Sequence, residues 1–96
     1  MPRYKLIVEY DGSPYRGWQY QADVPTVQGA IEDAISRFDG QRATIQGAGR
    51  TDAGVHALAQ VAHADLRGEH DGGTVRDALN FYLRPQPIAV LSAERV

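Results

Sequence analysis

The chain has 96 residues, of which 43% are hydrophobic and 23% charged, and its net charge is −2. That composition describes a single ordinary globular domain, and the absence of cysteine excludes a disulfide framework and a thiolate metal site. No apolar run approaches the roughly 20 residues of a membrane span, and no apolar signal region follows the opening Met-Pro-Arg-Tyr-Lys, so the cytoplasm is the expected compartment. The acidic balance speaks against a free-standing nucleic-acid binder, which is usually basic.

In chain order, Tyr4, Leu6, Val8 and Tyr10 alternate with Lys5, Ile7 and Glu9, the period of two of a strand with one buried face. Asp11-Gly12-Ser13-Pro14 ends it with turn chemistry. Residues 11–25 form a long connection that carries Tyr15, Arg16, Gly17, Trp18, Gln19 and Tyr20. A helix follows, with Thr26 as its N-cap. Val27, Ala30, Ile31, Ala34, Ile35 and Phe38 make its apolar stripe, and Gly40 is its left-handed stop. Arg42 to Gln46 reads as a short strand, 47–56 as a glycine-rich loop, and Ala57 to Leu66 as a longer, alanine-rich strand. After a turn over 68–73, Thr74 is the expected start of a second helix, with Asp77 as its capping partner. Val75, Ala78, Leu79, Tyr82 and Leu83 give that helix its spacing, and Pro85 stops it. Ile88 to Val96 is a last apolar strand.

The order β-α-β-β-α-β is the ferredoxin-like arrangement: an α+β domain with a four-stranded antiparallel sheet and two helices on one face. Residues 1–96 form one such domain on this reading. The fold hosts many functions, so function must be argued from a site.

The densest unusual stretch is Gly47-Ala48-Gly49-Arg50-Thr51-Asp52-Ala53-Gly54-Val55-His56-Ala57. It is not a P-loop, because Gly49-Arg50-Thr51 runs into Asp and Gly with a strand to follow. The dinucleotide fingerprint fails because Asp52 stands where its third glycine belongs. His56 and His63 are seven apart across a strand, no His-x-x-x-His occurs, and no metal site is expected. Asp52 then has two readings: a turn residue whose carboxylate bonds nearby N–H groups, or a nucleophile or base flanked by the cation of Arg50 and the hydroxyl of Thr51. Arg50 in turn reads as a surface cation paired with a carboxylate, worth little energetically. Tyr15, Arg16, Trp18 and Tyr20 suit a surface on which unpaired bases stack. For Trp18 alone, cover for the core is the stronger reading, since large aromatics are usually well buried.

The run Gly49 to Ala57, Gly-Arg-Thr-Asp-Ala-Gly-Val-His-Ala, resembles the signature of the TruA family of tRNA pseudouridine synthases. Tyr10-Asp11-Gly12-Ser13 through Gly17-Trp18-Gln19, Val27-Gln28-Gly29-Ala30, and Asn80 with Leu83 to Ile88 are similar to further family segments in the same order, so the resemblance spans essentially the whole chain. It implies isomerisation of uridine to pseudouridine in the anticodon stem-loop of tRNA, with neither cofactor nor metal. Asp52 aligns with the catalytic aspartate, which attacks either the base or the sugar, and Arg50 with an arginine close to that event. Thr51, Arg16, Trp18, Gln19 and His56 become the expected RNA-binding residues. Family members are homodimers with a second ferredoxin-like half that completes the cleft, so the expectation is an N-terminal half. The alternative within the resemblance is a fragment that binds tRNA without turning it over.

Two readings from other classes fare worse. Acylphosphatase-like hydrolysis needs an asparagine on a central strand, and the only asparagine, Asn80, falls on the second helix. A classical RNA-recognition module needs aromatics on both middle strands, and Ala57-Leu-Ala-Gln-Val-Ala-His-Ala64 has none.

Overall fold

The computed structural model describes residues 2–47, 54 and 56–96. Six elements run in the order β1 (Arg3–Tyr10), α1 (Val27–Asp39), β2 (Ile45–Gly47), β3 (Ala57–Asp65), α2 (Gly72–Leu83) and β4 (Ile88–Arg95). The strands form one antiparallel sheet in the order β2-β3-β1-β4, the expected ferredoxin-like topology.

Alternation in β1 decides which face is covered. Tyr4, Leu6, Val8 and Tyr10 are buried, and their cross-strand partners Ala62, Ala64, Ile88 and Val90 are buried with them. The α1 stripe Val27, Ile31, Ala34 and Ile35 and the α2 residues Val75, Leu79 and Leu83 close over the same core. Ala62 and Ala64, the buried alanines of β3, suit this packing, since two helices leave little depth above a central strand. On the opposite face, a bulge between Ile7 and Val8 shifts the β4 register and leaves Leu91 exposed.

Helix α1 begins and ends as its sequence indicates. The Thr26 side chain accepts from the Gly29 N–H, and Gly40 takes φ 77° at the other end. Helix α2 corrects the expectation that Thr74 starts it. Asp71 is the N-cap, accepting from the Gly73 N–H, and the helix begins two residues earlier, at Gly72. A Cβ on Gly72 would stand 2.2 Å from the Ala93 carbonyl oxygen. Gly72 therefore lets the helix start almost in contact with β4, a tertiary demand that capping chemistry alone does not reveal. Strand β2 is displaced as well, to Ile45–Gly47. The Arg42 guanidinium is drawn to Asp33 and Glu32 on α1, which keeps residues 42–44 outside the sheet.

Both edge strands turn backbone groups away from the sheet, and helix side chains meet them. Ile45 on β2 donates its N–H to Glu32 Oε2 at 3.0 Å, and its carbonyl accepts from Gln28 Nε2 at 3.4 Å. Val90 on β4 donates to Asn80 Oδ1 at 2.7 Å and accepts from Asn80 Nδ2 at 3.0 Å. Glu32 is only 4% exposed, and its carboxylate also takes hydrogen bonds from Gln28 and Arg42. Asn80→Ala strips both partners from a Val90 that is itself buried. The expected cost is about 1–3 kcal/mol, read as a lowered urea midpoint with an unchanged slope.

Candidate RNA-facing site

The exit of β1 is a hub. Asp11 donates its backbone N–H to the Pro87 carbonyl at 3.0 Å, which joins the turn to the entry of β4. Tyr15, 5% exposed, folds back through its N–H to the Gly12 carbonyl, while its hydroxyl donates to Gln86 Oε1 at 3.0 Å. Burial raises the Tyr15 phenol above its usual range, and the Asp11 carboxylate adds to the effect. The same turn reaches Gly54 and His56, at the far side of the glycine-rich run. Gly54, at φ 79°, donates its N–H to the Tyr15 carbonyl at 3.2 Å. The Gly12 N–H donates to His56 Nδ1 at 2.9 Å, and Asp11 Oδ1 stands 3.1 Å from that same nitrogen.

Asp11 itself is held below the usual carboxylate range, first by the Ser13 backbone N–H and then by the Ser13 hydroxyl; His56 contributes less. A lowered carboxyl favours the folded state above the unfolded titration range. That benefit is lost as pH falls through the folded, lower value.

A cavity of about 660 Å³ opens beside this hub. Pro87, Ile88 and Leu58 give it apolar walls, and Glu9, Asp11 and His56 supply its polar side. Such a lining suits a flat, largely apolar group with hydrogen-bond donors on its edge. A second cavity of about 420 Å³ lies between the 11–25 connection and α1, with Tyr20, Asp23, Thr26, Asp33 and Arg42 in its walls. The Arg42 guanidinium lies 5.4 Å from the centroid of the Tyr20 ring, a cation–π distance.

The expected site residues separate into three groups. Arg50, Thr51 and Asp52 lie outside the described residues. Arg16 and Gln19 are exposed on the connection, and His56 joins the β1 exit as described. Trp18 is core: it is 3% exposed and packs on Tyr10 at 6.0 Å between ring centroids, so its indole is closed to a stacking base. Tyr20, 49% exposed, is the open aromatic of that connection. Sequence reasoning passed over Glu32 and the partners of Gln28. The available signal was their spacing of four on one helix face, next to the apolar stripe rather than on it. Among the described residues no three His, Cys, Asp or Glu side chains gather closely enough to hold a metal ion. No helix there is long and apolar enough to cross a membrane.

A sequence profile of the family described as tRNA pseudouridine synthase matches residues 6–96. The chain belongs to that family. A protein of Methylobacterium radiotolerans named tRNA pseudouridine synthase A is 68% identical over all 96 residues of this chain, which correspond to 38% of that protein. Proteins of the same name from Methylorubrum extorquens and Afipia carboxidovorans are 66% and 62% identical over the same 96 residues. The chain thus spans about two fifths of the length of the curated synthases it matches.

A carboxyl titration followed by ¹³C NMR checks the electrostatics of the β1 exit. The Asp11 midpoint is expected below that of an ordinary aspartate. Ser13→Ala, which deletes the hydroxyl and keeps the N–H, moves it part of the way back.

Proposed function

We propose that the chain carries the nucleophile of an enzyme that isomerises uridine to pseudouridine in the anticodon stem-loop of tRNA, and that Asp52 is that nucleophile. One observation carries the reading: the family match includes the run Gly49 to Ala57, in which Asp52 stands between Arg50-Thr51 and Ala53-Gly54. An aspartate nucleophile divides a difficult exchange into two easier steps. The bond between the sugar and nitrogen 1 of uracil breaks, the base turns, and carbon 5 joins the sugar while its proton leaves and nitrogen 1 takes one up. No electrons enter or leave overall, so the chemistry calls for no redox partner.

The target base must first leave the stack, at a cost of a few kcal/mol. Arg50 and Thr51 adjoin Asp52 in sequence, and a planar guanidinium suits either a phosphate or the space a flipped base vacates. Arg16 and Gln19, exposed on the connection, extend the RNA-facing surface. Trp18 serves it from below, as packing under the connection. The remaining length of the relatives completes the cleft and the positive surface, and the whole enzyme is a cytoplasmic homodimer. The 38% coverage favours a second reading, in which this portion alone binds tRNA without turnover.

Release of tritium from carbon 5 of uridine in labelled tRNA reports the new carbon–carbon bond. We expect release from the chain extended by the remaining length of the Methylobacterium radiotolerans relative, and its loss on Asp52→Ala. Release that persists in Asp52→Ala would remove Asp52 from the chemistry. Release by the 96-residue chain itself would overturn the second reading.

A further inference from the structure

His56 Nδ1 has two neighbours and room for one hydrogen bond. The Gly12 N–H, at 2.9 Å, needs a lone pair on that nitrogen, whereas Asp11 Oδ1, at 3.1 Å, would need a proton there. Asp11 already has the Ser13 N–H on that oxygen at 2.9 Å. The Gly12 N–H is that of a buried residue and has no other described acceptor. An unpaired buried N–H is costly, and the carboxylate's needs are met elsewhere, so Nδ1 goes to Gly12. The neutral ring then carries its proton on Nε2.

This contact has a partner two residues earlier. Gly54 donates to the Tyr15 carbonyl from the other end of the same short turn, and Tyr15 is anchored in the core and to Gln86. Two hydrogen bonds thus tie positions 54 and 56, two and four residues beyond Asp52, to the exit of β1. The turn is bound in its own right to the entry of β4 through the Pro87 carbonyl.

We infer that His56 is a positioning residue: its Nδ1, paired with the Gly54–Tyr15 bond, fixes the chain downstream of Asp52 against the β1 exit turn. This deepens the function proposed above and rests on it for the role of Asp52. The same side chain read as an RNA contact would act through Nε2, and the two roles separate by substitution. Asparagine places its Oδ1 where Nδ1 stood and can accept from Gly12. Glutamine reaches to the Nε2 position and cannot.

Two measurements test the inference. In ¹⁵N-labelled wild-type chain, a coupling across the hydrogen bond should link the Gly12 amide nitrogen to His56 Nδ1. A protonated Nδ1 without that coupling would overturn the assignment, whatever the activity. In tritium release by the extended enzyme, His56→Ala should lower kcat by about tenfold or more, the scale on which small misplacements act. KM for tRNA should stay within about twofold of the wild type. His56→Asn should recover most of the loss and His56→Gln little of it. The reverse pattern, with glutamine rescuing and KM rather than kcat moving, would make His56 an RNA contact and overturn the positioning role. If the extended enzyme is inert, the proposed function falls, while the coupling still decides whether the Gly12 contact exists.

Discussion

A four-stranded sheet has two edges, and each presents backbone N–H and C=O groups that water, another strand or a side chain must satisfy. Here one residue on each edge is met from the helix layer. Gln28 and Glu32 on α1 meet the outward groups of Ile45, and Asn80 on α2 meets those of Val90. Each helix is therefore fixed to the sheet by directional bonds as well as by apolar packing. Apolar burial by itself leaves a helix able to slide along a sheet at modest cost, because the hydrophobic effect has no direction.

The α1 contacts extend beyond the edge. Gln28 Oε1 accepts from the Tyr20 N–H, and the backbone N–H groups of Val27 and Gln28 donate to the Gly17 and Trp18 carbonyls. The connection 11–25 thus lies along the start of the helix, with Trp18 beneath it in the core. Ile45 is two residues before the end of β2, where the glycine-rich segment begins, and Gly54 and His56 hold its far side to the β1 exit. The Glu32 and Gln28 bonds hold Ile45 on one side of the run, and the exit turn holds Gly54 and His56 on the other.

Much of this was legible in the residues. The alternation of Tyr4, Leu6, Val8 and Tyr10 named the buried face, the α1 stripe named its cover, and Thr26 and Gly40 marked the helix ends. All are local signals, carried by period and cap chemistry. The start of α2 at Gly72, the displacement of Arg42 from β2 and the bulge that turns Leu91 outward depend on contacts with residues distant in sequence. Glu32 belongs with them: a carboxylate on a helix reads as solvated until its acceptors are seen to be occupied. The catalytic reading is of a different kind. Asp52, Arg50 and Thr51 owe their assignment to the run Gly49–Ala57, while the described residues give the frame on either side of it.

The central claim is that helix side chains, rather than sheet pairing alone, fix the flank of the Asp52 segment. Amide hydrogen exchange of Ile45 tests it most directly, in the wild type and in Glu32→Leu, with the Leu6 amide of the central strand as reference. The edge amide of Ile45 is expected to be protected in the wild type, and Glu32→Leu to open it while Leu6 stays closed. An Ile45 amide that exchanges freely in the wild type, or one that Glu32→Leu leaves as protected as before, would contradict it.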